Sequence, residues 1–74
     1  MQYVYQVENG ETGNPVNFLL SSKEKAIEEA TFRLKHGFGA TKVTTNPADP
    51  LGFAFGYKDE ECVGHYVIHL LEIL

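Results

Sequence analysis

The chain has 74 residues, of which 43% are hydrophobic and 22% charged, a composition typical of a folded protein rather than a disordered segment. Ten acidic and six basic residues give a net charge of −4 at pH 7, which disfavours direct binding to a nucleic-acid backbone. The single cysteine, Cys62, excludes an internal disulfide. The length leaves room for one domain, and we expect it to span residues 1–74.

Targeting signals are also missing from the sequence. Its first residues lack the basic and apolar regions of a secretory signal, and no apolar run reaches the roughly 18 residues of a membrane span. No N-x-S/T glycosylation acceptor occurs. We therefore expect a cytoplasmic protein with no membrane partner.

A β-hairpin is predicted at the start of the chain. Residues 1–8 alternate, with Tyr3, Tyr5 and Val7 on one side and polar residues on the other, interrupted by Val4. Residues 9–15 read NGETGNP, which is turn chemistry, and residues 16–20 alternate again through Val16, Phe18 and Leu20.

One helix is predicted after the hairpin. Ser21 and Glu24 fit an S-x-x-E capping box, so the helix is expected to begin at Ser21 or Ser22. Its predicted inner stripe consists of Ile27, Ala30, Thr31 and Leu34. Gly37 is expected to end it as a left-handed C-cap, with Phe38 folding back onto Phe32.

The remaining elements are predicted to be strands. Residues 41–45 read TKVTT, residues 46–50 form a loop with two prolines, and residues 53–57 alternate aromatic with small side chains. Residues 58–61 form an acidic turn, and residues 62–74 are apolar on both faces, with 69–74 open to either strand or helix. The fold class is therefore α+β: two layers, an antiparallel sheet of four to five strands with one helix on one face, in the order ββαβββ.

A single helix covers only one face of such a sheet, so the other face is expected to be closed by a copy of the chain or by a partner protein. Aromatic residues are enriched at the centres of interfaces, and acidic residues steer association toward basic surfaces, including surfaces that hold nucleic acid. The candidate partner-binding residues are Tyr3, Tyr5, Phe53, Phe55, Tyr57, Asp59, Glu60 and Glu61. Of the aromatic residues, only those facing away from the helix can contact a partner.

The candidates for a catalytic or metal-binding site are Cys62, His65 and His69. On a helix, His65 and His69 would share one face and could hold zinc, but in a strand they lie about 13 Å apart. Residues 62 and 65 of a regular strand point to opposite faces, so the Cys62 thiol would be separated from the His65 imidazole that could act as its base. Cys62 is instead expected to be a small buried hydrophobic residue. We therefore expect no catalytic site, no metal and no cofactor.

Three stretches carry a resemblance to known proteins: SKEKA at residues 22–26, AIEEA at residues 26–30, and G-x-x-x-T-K-V-T at residues 37–44. Over residues 3–45, size, acidity and element order resemble small phage-encoded or phage-derived inhibitors of host machinery, namely the small phage inhibitor of bacterial RNA polymerase and several anti-CRISPR proteins. The strands after Pro50 depart from the shorter polymerase inhibitor. The resemblance implies an inhibitory protein–protein binder and assigns no individual residue.

Three functions follow in order of preference. The first is a small acidic protein-binding module that inhibits or modulates a larger host protein complex, of anti-defence or transcription-inhibitor type. The second is a self-assembling structural or accessory domain with a homodimer interface. The third is a metal- or thiol-dependent enzyme that uses Cys62, His65 and His69.

Overall fold

The computed structural model describes residues 2–16, 19–45 and 52–73. Its elements are strand β1 (Gln2–Asn9), helix α1 (Lys23–Gly37), and strands β2 (Lys42–Thr45), β3 (Gly52–Lys58) and β4 (Glu61–Ile73). The strands form one antiparallel sheet in the order β1-β4-β3-β2, and α1 leads from one edge strand to the other. The predicted α+β class, with one helix on an antiparallel sheet, is confirmed.

The segment after β1 is less regular than the predicted second strand. The chain does turn back after Asn9, and Tyr5 and Leu20 exchange backbone hydrogen bonds of 2.8 and 2.9 Å. Among the described residues of this segment, the β-bridges to β1 are isolated ones, at Leu20 and at Pro15, whose missing N–H interrupts a ladder. Phe18 lies outside the described residues.

Helix α1 begins one residue later than the predicted capping box requires. The N-cap is Ser22, whose hydroxyl accepts a hydrogen bond of 3.2 Å from the backbone N–H of Lys25. The start at Ser21 or Ser22 is confirmed, whereas the box between Ser21 and Glu24 is wrong. Ser22 satisfies one of the helix's first free N–H groups in place of Ser21.

The end of α1 also lies further along than predicted. Gly37 is the last helical residue, and the left-handed conformation belongs to Gly39, with φ of 73°. The N–H of Ala40 then donates to the carbonyl of Leu34 at 3.0 Å. The predicted cap at Gly37 is wrong because the chain reverses at the second of two available glycines.

The aromatic residues at this end do not pair as predicted. The Phe38 ring packs edge-on against Tyr66 of β4, with centroids 6.2 Å apart. The Phe32 ring stacks instead on His36, one turn later in the same helix, at 4.4 Å. Phe38 thus joins the helix end to the sheet.

Between helix and sheet lies a thin core. Its buried hydrophobic residues are Val7, Ala26, Ala30, Leu34, Ala40, Ala54, Tyr66 and Ile68. Ala30 and Leu34 confirm the predicted stripe, Ile27 packs at its border, and Thr31 is half-buried. Half of these described core residues are alanine, and each of them contributes little apolar area to the core.

β4 is the longest strand of the sheet and one of its two inner strands. Its second half, residues 66–73, pairs with β1, and its first half, residues 61–68, pairs with β3. Residues 69–73, for which the sequence allowed strand or helix, are therefore strand. The register shifts at Gly56 and Tyr57, which pair with Gly64 and Cys62 and leave Val63 as the extra residue of a bulge.

Candidate protein-binding surface

One face of the sheet is free of other elements within the described part of the chain. α1 packs on the side that carries Val7, Ala54 and Ile68, and alternate residues of each strand point the other way. We call this second side the open face. Its apolar side chains are Val4, Phe53, Phe55, Val67, Leu71 and Ile73.

An aromatic patch, formed by Phe53, Phe55, His65 and Val67, occupies the β3–β4 half of the open face. The Phe53 and Phe55 rings stack with centroids 5.9 Å apart, and Phe55 stacks on His65 at 5.6 Å. Val67 is the cross-strand partner of Phe53, whose side chain is 42% exposed. These side chains support one another across two strands and still present apolar surface to solvent.

The hairpin turn after β1 fixes the position of His65. The Gly10 N–H donates to the His65 carbonyl at 2.8 Å, and the imidazole Nδ1 lies 3.1 Å from Glu11 Oε1. A Cβ on Gly10 would lie 2.0 Å from His65 Nε2, so only glycine leaves room for the ring. The aromatic patch is therefore held at its end by backbone and side-chain contacts.

A polar pair divides the apolar surface of the open face. His69 Nε2 lies 3.2 Å from Glu8 Oε2, and Gln6 is the strand partner of His69. Beyond this pair lies an aliphatic patch of Val4, Leu71 and Ile73, with the last two side chains 38% and 44% exposed. Apolar patches separated by polar groups are typical of interfaces that form and dissociate, rather than of permanent ones.

Acidic residues border the aromatic patch. Asp59 and Glu60 form the β3–β4 turn and Glu61 follows it, all three exposed. Glu11 lies at the neighbouring hairpin turn, next to His65. Carboxylates at this end of the sheet make it the side toward which a basic partner would be drawn.

The structure separates the eight predicted interface residues into two groups. Phe53, Phe55 and Tyr57 lie on the open face, next to the acidic turn. Tyr3 and Tyr5 lie on the helix side, where Tyr5 packs against the core and Tyr3 is 46% exposed. Tyr3 and Tyr5 therefore belong to a different surface from Tyr57 and the two phenylalanines.

Several residues of the open face were missed by the sequence analysis, namely Val67, Leu71 and the two histidine–carboxylate pairs. Each depends on which strand lies beside β4, and β1 and β4 are far apart in the chain. The alternation within β4 shows which of its side chains share a face. Only the strand register shows that these side chains lie next to Phe53 or Glu8.

Cys62 does not have the predicted environment. It is exposed, and its thiol donates to the Gly64 carbonyl at 3.6 Å. The bulge at Val63 also breaks the alternation on which the predicted separation of Cys62 from His65 was based. No group of three or more His, Cys, Asp or Glu residues in the described ranges is placed to hold a metal ion.

Comparison with protein-family models, with curated proteins and with solved structures gives no match to this chain. Helix α1, the helix within the described ranges, is too short and too polar to cross a membrane.

Proposed function

We propose that the chain is a small protein-binding module that docks through its open face and thereby inhibits or modulates a larger protein complex in the cytoplasm. The observation that supports this proposal is the aromatic patch, whose rings are already stacked and whose Phe53 is exposed. Aromatic side chains contribute much of the binding energy at interface centres.

Order within the patch favours binding. Phe55 is held between Phe53 and His65, and His65 is held by Gly10 and Glu11. Side chains that are fixed before association lose little conformational entropy when the partner arrives. The patch is therefore suited to act as an anchor.

The charges around the patch indicate the chemistry of the partner. Asp59, Glu60 and Glu61 lie at one end of the sheet, and the described basic residues nearby are Lys42 and Lys58, the strand partner of Glu61. A complementary partner has an apolar centre flanked by basic groups, as found on a surface that binds nucleic acid. Occupying such a surface would block its use by the nucleic acid.

Two exposed phenylalanines on opposite sides of the protein provide the test. Tagged wild-type chain, Phe53→Ala and Phe32→Ala are compared in affinity capture from bacterial lysate, and the affinity for the captured partner is then measured. Loss of Phe53 is expected to weaken binding about 30-fold or more, as for an interface hot spot. Phe32, on the helix side and 57% exposed, is the matched control and should be neutral. Equal effects of the two substitutions would contradict docking through the open face.

Self-association is the second candidate, and the thin core favours it. Since half of the described core residues are alanine, a chain of this size gains stability if a copy covers exposed Leu71 and Ile73. The solution mass of wild type and Leu71→Asp distinguishes the two functions. A wild-type dimer that the substitution dissociates, and that captures no other protein, would replace the first proposal by the second.

A further inference from the structure

A groove on the helix side of the protein lies between the last turns of α1 and the hairpin turn after β1. It consists of two adjoining cavities of about 340 and 370 Å³, both lined by Arg33 and Tyr66. The first cavity reaches Thr12 and Asn14 of the hairpin turn, and the second reaches Phe32. Each volume lies at the lower end of the range of about 300 to 1,000 Å³ found for small-molecule sites.

The Tyr66 hydroxyl is an unpaired polar group of this groove. Tyr66 is 6% exposed, and no hydrogen bond within the described ranges involves its hydroxyl. No fully buried side-chain nitrogen or oxygen of the described residues lacks a partner. The hydroxyl therefore reaches the groove surface, where it can donate to a ligand or accept from one.

Arg33 lines both cavities together with Tyr66 and carries a positive charge. Its Nε–H donates to Glu29 Oε1 at 2.6 Å, which orients the guanidinium, and no described hydrogen bond uses its two terminal amino groups. No described residue that lines either cavity carries a carboxylate, although the chain has a net charge of −4. Glu29 pairs with the Nε side of the guanidinium, so an anion in the groove would be bound through the terminal amino groups.

The walls of the groove supply a flat apolar surface and a fixed border. Phe32 is 57% exposed and stacks on His36 at 4.4 Å. On the other side, Asn9 Oδ1 accepts from the N–H of Thr12 at 3.3 Å, and the Thr12 hydroxyl accepts from the N–H of Asn14 at 3.2 Å. The hairpin turn is therefore held by its own hydrogen bonds before any ligand binds.

We propose that this groove binds a small molecule in which a planar apolar ring carries an anionic group. The anion accepts hydrogen bonds from the terminal amino groups of Arg33 and from the Tyr66 hydroxyl, and the ring lies against Phe32. This site is separate from the open face, so a ligand here and a protein partner there can bind together.

The test is an NMR titration of the full chain with phenyl phosphate, which combines both ligand features. Saturable shifts are expected at the backbone amides of Thr12, Asn14, Phe32 and Gly37. Inorganic phosphate and phenol each carry one feature and should bind at least about 10-fold more weakly. Shifts that do not saturate, or that centre on the open face, would overturn the proposal.

Substitutions locate the site more sharply. Arg33→Gln should weaken phenyl phosphate about 10-fold or more, because it removes charge-assisted hydrogen bonds, and Tyr66→Phe should weaken it about 3-fold or more. Lys35→Gln removes the same charge from an exposed residue that does not line the groove, and should stay within about 2-fold of wild type. Equal losses for Arg33→Gln and Lys35→Gln would show that only net charge attracts the probe and would overturn the site.

Discussion

Asp59 and Glu60 occupy the two central positions of the β3–β4 turn, with φ of 52° and 68°. Left-handed backbone of this kind is costly for residues with a Cβ, and two-residue hairpin turns favour Asn-Gly there. The turn therefore carries two carboxylates at a cost in stability. This cost is explained if the negative charge at the border of the aromatic patch has a role in binding.

The double substitution Asp59→Asn with Glu60→Gly removes both charges and relieves the backbone cost of the turn. We expect it to raise the free energy of unfolding by about 1 kcal/mol, because both new residues tolerate positive φ. Urea denaturation measures the change, and Glu61→Gln is the control that removes a charge from strand β4 and leaves the turn intact. A double variant less stable than wild type would contradict this view of the turn.

Gly37 and Gly39 provide a second comparison at the residue scale. Gly37 is helical and a Cβ there meets nothing within 4 Å, so Gly37→Ala should stabilise by about 0.5 to 1 kcal/mol. Gly39 has φ of 73°, so Gly39→Ala should destabilise by about 1 to 2 kcal/mol. Thermal unfolding of the two variants checks the opposite signs. If Gly37→Ala were destabilising, the result would instead support the left-handed C-cap that the sequence predicts at Gly37.

At the scale of elements, Leu34 joins α1 to the sheet. It is fully buried, and Leu34→Ala should cost about 2 to 5 kcal/mol. A Cβ on Gly56 would lie 3.1 Å from Leu34 Cδ2 and 2.9 Å from the Ala40 Cβ, so Gly56→Ala should cost about 1 to 3 kcal/mol. Because the Leu34 truncation vacates space beside the new methyl group, the double variant should cost less than the sum, as a urea double-mutant cycle would show. Additive costs would mean that the two residues do not share this contact.

The elements were predictable where local chemistry decides them. Ser22 and the apolar spacing that includes Ala30 and Leu34 specify α1, and the alternation around Phe53 specifies β3. The helix end was misplaced because two glycines, Gly37 and Gly39, offer the same local signal. Tertiary contact made the difference, since Phe38 reaches Tyr66 when the chain continues helically through Gly37.

The candidate surface was predictable only in part. Phe53, Phe55 and Tyr57 follow one another in one strand, so their shared face follows from alternation. Whether Tyr3 lies on the same face depends on the pairing of β1 with β4. The bulge at Val63 likewise cannot be predicted from the local sequence. Pairings between distant segments are not encoded in any single window of sequence.

For the whole molecule, electrostatic steering should be visible as a salt effect. The association rate with the captured partner is expected to fall as ionic strength rises from about 0.05 to 0.3 M, because exposed charges are screened beyond the Debye length. Stopped-flow measurements on wild type and the Asp59→Asn, Glu60→Gly variant check this. The variant should show a shallower dependence, and a salt-independent wild-type rate would contradict steering.

The pairing of β1 with β4 also determines the order in which the protein can fold. Gln2 is the partner of Ile73, so the earliest strand in the chain has no native neighbour within the sheet until the latest one has been made. The β3–β4 hairpin and α1 form from local contacts and can organise first, whereas closing so long a loop is slow. During synthesis β1 therefore stays unpaired, with its apolar side chains exposed. Substitutions that weaken β4 should prolong this partly folded state and lower the yield of folded protein through aggregation.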